Sequence, residues 1–383
     1  MKELASLVRE LEDQMAVCMR CGMCQSVCPL FEQTRREADV ARGKLALLNG
    51  LMDNLFSDPD GVNQRLNRCL LCGSCAANCP SGVNALEIFI KARAILTEYK
   101  GLSPAKRLIF KKMLASPKTF DSLVAWAQKF QGIFTSKDAN AQGTSCARLV
   151  SPLLANRHFM PVASVPFHKC LPEQGLNQKG SGPRVALFTG CLVDKIFPSI
   201  GHALIKVFSH HNLGLTIPAG QGCCGIPALA SGDRETFSRL VEHNLALFYD
   251  QDFDFLVTAC ATCTSTIKKL WPSIHKTASS GTREQLKRLS QKTLDINQFL
   301  VDYAHLDKAP GRKETAEKVT YHDPCHLKKS LGVATEPRTL IQTNPRYRLQ
   351  EMLEPDRCCG LGGSFSVEHY DISSSIGKIK REN

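Results

Sequence analysis

The feature that most constrains this chain is a cysteine run that occurs twice. Cys18, Cys21, Cys24 and Cys28 are followed by Pro29, and Cys69, Cys72, Cys75 and Cys79 are followed by Pro80, so both runs read C-x2-C-x2-C-x3-C-P. Three thiols at i, i+3 and i+6 on a tight loop can reach one small metal centre, whereas the fourth, past a turn, points away from it. Pro29 and Pro80 fix the backbone where the chain leaves each loop. Gly22 and Gly73 let the backbone come close to the sulfurs. Zinc usually takes two C-x2-C halves, not a triple run with a fourth Cys-Pro.

Composition places these thiols. The chain has 383 residues, 18 cysteines and a formal net charge of +12. It contains no apolar stretch of about 18 residues that could cross a membrane. The N-terminal MKELASLVRELEDQM is charged and helix-periodic, without the apolar core of a signal peptide. A cytoplasmic location follows, where thiols stay reduced and 18 of them call for metal rather than disulfides.

Both runs resemble those of bacterial-type ferredoxins, in which the fourth cysteine ligates the other cube. The resemblance implies two [4Fe–4S] clusters, one on Cys18, Cys21, Cys24 and Cys79, the other on Cys69, Cys72, Cys75 and Cys28.

Of the other ten cysteines, eight fall into further groups: Cys191, Cys223-Cys224 and Cys260/Cys263; then Cys325; then Cys358-Cys359. Cys146 and Cys170 stand apart and read as incidental thiols. The apolar run 185–190 (VALFTG) predicts a strand that ends at Cys191. A helix over about 196–208, an extended LGLTIP, a helix over about 234–248 and a strand at 253–259 follow, the last delivering Cys260 and Cys263 to a further helix. Strands alternating with helices predict a parallel, doubly wound sheet, with these cysteines at its carboxyl edge. The pattern then recurs: KVTYHDPC (318–325) matches strand-then-cysteine, and Cys358-Cys359-Gly360 matches Cys223-Cys224-Gly225. The offsets, 134 from Cys191 to Cys325 and 135 from Cys223 to Cys358, argue duplication. Counterparts of Cys260 and Cys263 would fall near 395 and 398, beyond Asn383. We therefore read the second repeat as incomplete, with truncation favoured over a degenerate site.

The constellation Cys191, Cys223-Cys224-Gly225, Cys260/Cys263, with His322-Asp323-Pro324-Cys325-His326, resembles the cysteine-rich CCG family. That family includes the heterodisulfide reductase catalytic subunit and the third subunit of anaerobic glycerol-3-phosphate dehydrogenase. A double ferredoxin module followed by two such repeats is most similar to the iron–sulfur subunits of glycolate oxidase and bacterial D-lactate dehydrogenase. The resemblance covers about residues 8–100 and 183–383. It implies a further non-cubane [4Fe–4S] cluster, or zinc, on Cys191, Cys223, Cys224, Cys260 and Cys263, and an incomplete second site on Cys325, Cys358 and Cys359. The expected fold is α/β with an N-terminal helical ferredoxin-like domain and tandem doubly wound CCG repeats. Its expected domains are 1–100, a basic helical segment and linker over 101–182, and the repeats at 183–310 and 311–383.

Residues 91–140 carry ten Lys or Arg against three Asp or Glu, and Trp126 and Phe130 lie among them. We read a solvated helix pair packed on a partner, with contact to an anionic membrane surface as the alternative and nucleic acid discounted. His322 and His326 flank Cys325, either to hydrogen-bond a cluster sulfur and move protons beside a quinone or to cap a helix. No dinucleotide fingerprint, P-loop or hydrolytic triad is visible, and no catalytic residue is assigned. The expectation is an electron-transfer subunit of a flavin-dependent 2-hydroxyacid (glycolate or D-lactate) dehydrogenase or oxidase. An FAD-binding partner would do the carbon chemistry, and a quinone or other acceptor would take the electrons, peripherally at the cytoplasmic face of the inner membrane. The alternatives are a heterodisulfide reductase-like catalyst, a protein like the anaerobic glycerol-3-phosphate dehydrogenase subunit, or a zinc-bearing scaffold.

Overall fold

A computed structural model describes residues 2–56, 58–137, 145–147, 158–249, 251–274, 279–307 and 316–383. Two compact units emerge, residues 1–103 with 226–237 and 305–383, and residues 104–225 with 238–304.

The first unit begins as short helices threaded between the two cysteine loops. Lys2–Arg9 buries Leu4, Ala5 and Val8 on one side, the face its periodicity requires. Each cysteine loop closes on a glycine in the left-handed region, Gly22 (φ 86°) and Gly73 (φ 74°), which starts a one-turn helix, Met23–Ser26 or Ser74–Ala77. A side chain would be strained at either φ. Pro29 opens the helix Pro29–Thr34 at its first turn, where a missing N–H costs nothing. The longest helix of this module, Ala85–Lys100, is capped by the Asn84 side chain, which accepts from the Glu87 N–H, and stops at Gly101. It buries Ile88, Phe89, Ile90, Ile95 and Leu96, each worth about 1.5–3 kcal/mol of transfer free energy.

The second unit holds a five-stranded sheet: β1 (Gly175–Gln178), β2 (Ser181–Phe188), β3 (Leu213–Pro218), β4 (Phe255–Thr258) and β5 (Thr293–Asp295), in the order β1-β3-β2-β4-β5. β1 runs antiparallel to β3, and the other pairings are parallel. Val185–Phe188 and Leu256–Thr258 are buried, which is why both read as continuous apolar runs rather than alternating ones. After the edge strand β1 the chain enters mid-sheet at β2, steps to β3 on one side and crosses to β4 on the other. Parallel connections of this kind are right-handed as a rule and place helices on both faces, and sheets with such a switch of direction bind ligands beyond the carboxyl ends of their strands. The expected helices are present as Pro198–His210 and Arg234–Tyr249. Gly175–Gln178 lies in the stretch whose composition reads as linker, yet its backbone pairs with β3 as an edge strand.

The basic segment belongs to this unit. Pro104–Leu108 continues as a wider helical turn over Ile109–Leu114, and a second helix spans Pro117–Phe134. Phe110 and Val124 are buried, whereas Leu108, Ile109 and Trp126 are exposed. Among the described residues, no helix is long and apolar enough to cross a membrane.

The second repeat lies in the first unit. Two short parallel strands, β6 (Glu317–Val319) and β7 (Tyr347–Leu349), pair in register Lys318 to Arg348, and the closing helix Tyr370–Glu382 buries Ile376. Leu30, Leu70, Cys358, Phe365 and Ile376 form one buried cluster, with Cys28, Cys72 and Cys325 packed against it.

Candidate metal centres

Eight cysteines line two clefts in the first unit. One is bordered by Cys28, Cys69, Cys72 and Cys75; the other by Cys18, Cys21, Cys24 and Cys79, with Cys75 reaching both. Each cleft thus gathers three thiols of one run and the last thiol of the other. Metal binding needs thiolates, and the surroundings treat the thiols unequally. Burial pushes Cys28 up to about 11 and also raises Cys24 and Cys75. Cys72 is brought down to about 5, chiefly by a hydrogen bond from the Cys358 thiol, with Ser74 assisting.

Lys44 and Asp39 border the cleft around Cys28, Cys69, Cys72 and Cys75, and Arg93 and Lys329 reach its cysteine loop from outside the lining. Lys44 is 1% exposed, and its ammonium donates to the Asp39 carbonyl. The Asp39 carboxylate, itself buried, is taken by Arg65 at 3.3 Å and Arg68 at 3.8 Å. Arg93, 4% exposed, donates only to carbonyls: Leu66 at 2.6 and 3.1 Å, Cys69 at 2.7 Å and Ala230 at 2.7 Å. Lys329 donates to Ser74 Oγ at 2.7 Å, and that oxygen lies 3.4 Å from Cys72 Sγ. Among the described residues, neither Lys44 nor Arg93 has a carboxylate within 4 Å. Asp39 acts on Lys44 and Glu368 on Arg93 only from beyond that distance; a buried cation so weakly compensated is costly, and an anionic tetrathiolate iron–sulfur cluster would supply the missing charge. The residues present therefore fit such a cluster. The other cleft differs: its Arg42 is partly exposed and already neutralised by Glu37 at 2.7 Å.

At the carboxyl edge of β2, β3 and β4 five thiols form a continuous row. Cys191 Sγ lies 3.8 Å from Cys223 Sγ. Cys223 also meets Cys224, Cys224 meets Cys263, and Cys263 meets Cys260. These contacts and burial raise Cys223 and Cys263, while Cys260 is lowered by the Cys263 hydrogen bond. A Cβ on Gly190 would stand 3.2 Å from Cys263 Sγ, and Gly225 (φ 90°) directs its N–H at Cys223 Sγ, 3.5 Å away. Nothing in the cysteine spacing points to two residues that hold this row. Buried Trp271 donates through Nε1 to the Cys224 carbonyl at 3.0 Å. Asn244 donates to the Cys223 carbonyl at 3.0 Å and accepts from the Gly222 N–H at 2.9 Å. Asn244 sits on the helix between Cys224 and Cys260 and Trp271 on the one just after Cys263, and the fold turns both back onto the row.

The second repeat reproduces part of this arrangement. Gly360 (φ 81°) directs its N–H at Cys358 Sγ, 3.5 Å away, as Gly225 does at Cys223. Cys358 meets Cys325 on one side and Cys72 on the other, whereas Cys359 is exposed. His322 Nδ1 lies 3.0 Å from the Pro355 carbonyl, and burial lowers its pKa. Buried Asp323 is gripped by Arg338 at 2.7 Å and Lys328 at 3.2 Å. Cys170 is exposed, and the side chain of Cys146 lies outside the described residues.

Elsewhere in the second unit, Asp121, His168 and Asp194 converge closely enough to hold a cation. The Lys195 ammonium already bridges Asp121 and Asp194, the latter at 2.6 Å, so the group is a closed ion network.

Fold and thiol geometry together define an iron–sulfur redox protein. Comparison with known proteins agrees: a 4Fe-4S dicluster domain matches residues 14–83, and a cysteine-rich domain (CCG) matches residues 185–268 and 319–383. The chain is 28% identical to a probable glycolate oxidase iron-sulfur subunit of Bacillus subtilis, over 98% of this chain and 86% of that protein. It is 32% identical to lactate utilization protein A of Exiguobacterium sp., over 50% of this chain and 76% of that one. It is also 28% identical to a fumarate reductase (CoM/CoB) subunit of Methanothermobacter marburgensis, over 95% of this chain but only 62% of that protein. The chain belongs to the family of dicluster and cysteine-rich-domain iron–sulfur proteins represented by lactate utilization protein A and the glycolate oxidase iron-sulfur subunit.

Proposed function

We propose that this chain is the electron-transfer subunit of a flavin-dependent 2-hydroxyacid dehydrogenase acting on glycolate or D-lactate. It would accept electrons from an FAD-binding partner and pass them to a quinone or similar acceptor. The observation that carries this reading is the pair of clefts that each combine thiols from both runs and share Cys75. Cys18, Cys21, Cys24 and Cys79 would hold one [4Fe–4S] cluster and Cys69, Cys72, Cys75 and Cys28 the other. Bound there, the clusters would supply one-electron transfer. The chain's own residues would exclude water, orient the sulfurs through Gly22 and Gly73 and balance the anionic charge through Lys44, Arg93 and Lys329. The row Cys191, Cys223, Cys224, Cys260 and Cys263 would hold a further non-cubane cluster or zinc, with Trp271 and Asn244 fixing its backbone. Cys325, Cys358 and Cys359 would form a second, partial site. The exposed basic helices with Trp126 would meet the partner or an anionic membrane surface. Co-purification with a flavoprotein that reduces this chain upon addition of glycolate or D-lactate tests the proposal. Oxidation of either acid by the purified chain alone would sink it.

A second reading, disulfide reduction at the cysteine-rich site, is favoured by the unbroken row of five thiols and by the Methanothermobacter relative. Chemically reduced protein that turns over a disulfide substrate would select it.

A further inference from the structure

The two cubane sites proposed above differ in their charge balance. In the Cys28/Cys69/Cys72/Cys75 cleft, Lys44 is buried, borders the cavity and faces no carboxylate within 4 Å among the described residues. The nearest acid, Asp39, also borders the cavity and acts on Lys44 from beyond that distance, but it pairs with Arg65 and Arg68. In the Cys18/Cys21/Cys24/Cys79 cleft, the one bordering cation besides exposed Arg20 is Arg42, which Glu37 neutralises. Charges interact more strongly where water is excluded. A cluster gains one negative charge on reduction, so a weakly compensated buried cation favours its reduced form.

On the reading that both clefts hold [4Fe–4S] clusters, we propose that Lys44 is the dedicated counter-cation of the Cys28/Cys69/Cys72/Cys75 cluster. It makes that cluster the higher-potential member of the pair. An electron entering the pair therefore comes to rest beside Cys72, where Cys358 and Cys325 adjoin. Burial lowers the Lys44 pKa, and the nearby Cys69, Cys28 and Asp39 act against that lowering. Lys44→Met keeps a side chain of similar length beside buried Leu45 and Leu48 but gives up the donor to the Asp39 carbonyl, which Lys44→Arg retains.

The test is a potentiometric titration of anaerobically purified wild-type protein and of Lys44→Met and Lys44→Arg, followed by EPR. In the wild type two reduction steps are expected. In Lys44→Met the upper step should move at least tenfold toward the oxidised form, 59 mV for a one-electron couple, while the lower step stays. Lys44→Arg should keep the wild-type position. Loss of one cluster in Lys44→Met and its retention in Lys44→Arg would equally support a charge role. Unchanged steps in Lys44→Met, equal movement of both steps, or loss of the cluster in both variants would overturn it. A wild-type protein that binds no iron would instead overturn the two-cluster reading on which this rests.

Discussion

Replacing Arg93 by Met isolates what a buried guanidinium does for the cysteine loop. Arg93 donates to the carbonyls of Leu66, Cys69 and Ala230, so a single side chain ties the second cysteine run to the segment around Ala230. Methionine fills much the same volume and leaves the half-buried Cys69 and Ala230 carbonyls without that donor, while the Leu66 carbonyl keeps the Cys69 N–H. Each orphaned acceptor costs roughly 1–3 kcal/mol, about 2–6 in all. Removing a buried charge that Cys69 and Glu368 offset only at a distance returns part of this, and the lowered Arg93 pKa, caused by burial, points to the same desolvation cost. The difference leaves a net loss of about 3 kcal/mol, a large share of the roughly 5–15 kcal/mol that holds a typical domain. In urea this is a midpoint drop of about 1 M or more for a slope near 2–3 kcal/mol/M. The assay is anaerobic urea unfolding, followed by circular dichroism and by the visible absorption of bound iron, which should bleach at lower urea. In Arg93→Lys the single ammonium cannot span three carbonyls, and that variant should lose at least as much. A midpoint shift under about 0.3 M in Arg93→Met, less than about 1 kcal/mol, would refute the reasoning.

Crossed ligation predicts that Cys28→Ser perturbs the EPR signal of the cluster on Cys69, Cys72 and Cys75, and Cys79→Ser that of the cluster on Cys18, Cys21 and Cys24; signals that respond run by run would contradict it. Asp194→Asn should cost about 2 kcal/mol, because it halves the carboxylate support of nearly buried Lys195 but leaves Asp121 in place. Burial raises the Asp194 pKa, but the His168 and Lys195 contacts outweigh it and hold it below the usual value. Its stabilisation is therefore present above the ordinary carboxylate pKa of about 3.9 and is lost as pH falls through the depressed one. Acid unfolding of Asp194→Asn should show that loss removed. Trp271→Phe strands the Cys224 carbonyl and should cost about 1–3 kcal/mol, and metal analysis should find the first cysteine-rich site depleted while the cubane absorption persists.

What could be read from the residues was whatever repeats or alternates. The strand at VALFTG, the helix after Cys191 and the strand before Cys260 follow from apolar runs broken by glycine, and the sheet forms them at 181–188, 198–210 and 255–258. The doubled cysteine run likewise announced a dicluster module, because ligand spacing is local. Properties that depend on distant contacts stayed hidden. Lys44 sits in ARGKLALLNGLM, where any lysine would pass for a solvated residue, and only tertiary packing buries it. Gly175–Gln178 has linker composition, but an edge strand needs only backbone groups to pair. The meeting of Cys358 with Cys72 joins residues far apart in sequence, and no periodicity encodes it.

Iron and acid-labile sulfide, counted on protein purified without oxygen and read together with low-temperature EPR after reduction, address the core of this account. Two cubanes require about eight irons per chain and two reducible paramagnets close enough to broaden one another, with more iron if the cysteine-rich row also holds a cluster. A colourless protein whose thiols carry zinc alone would contradict it.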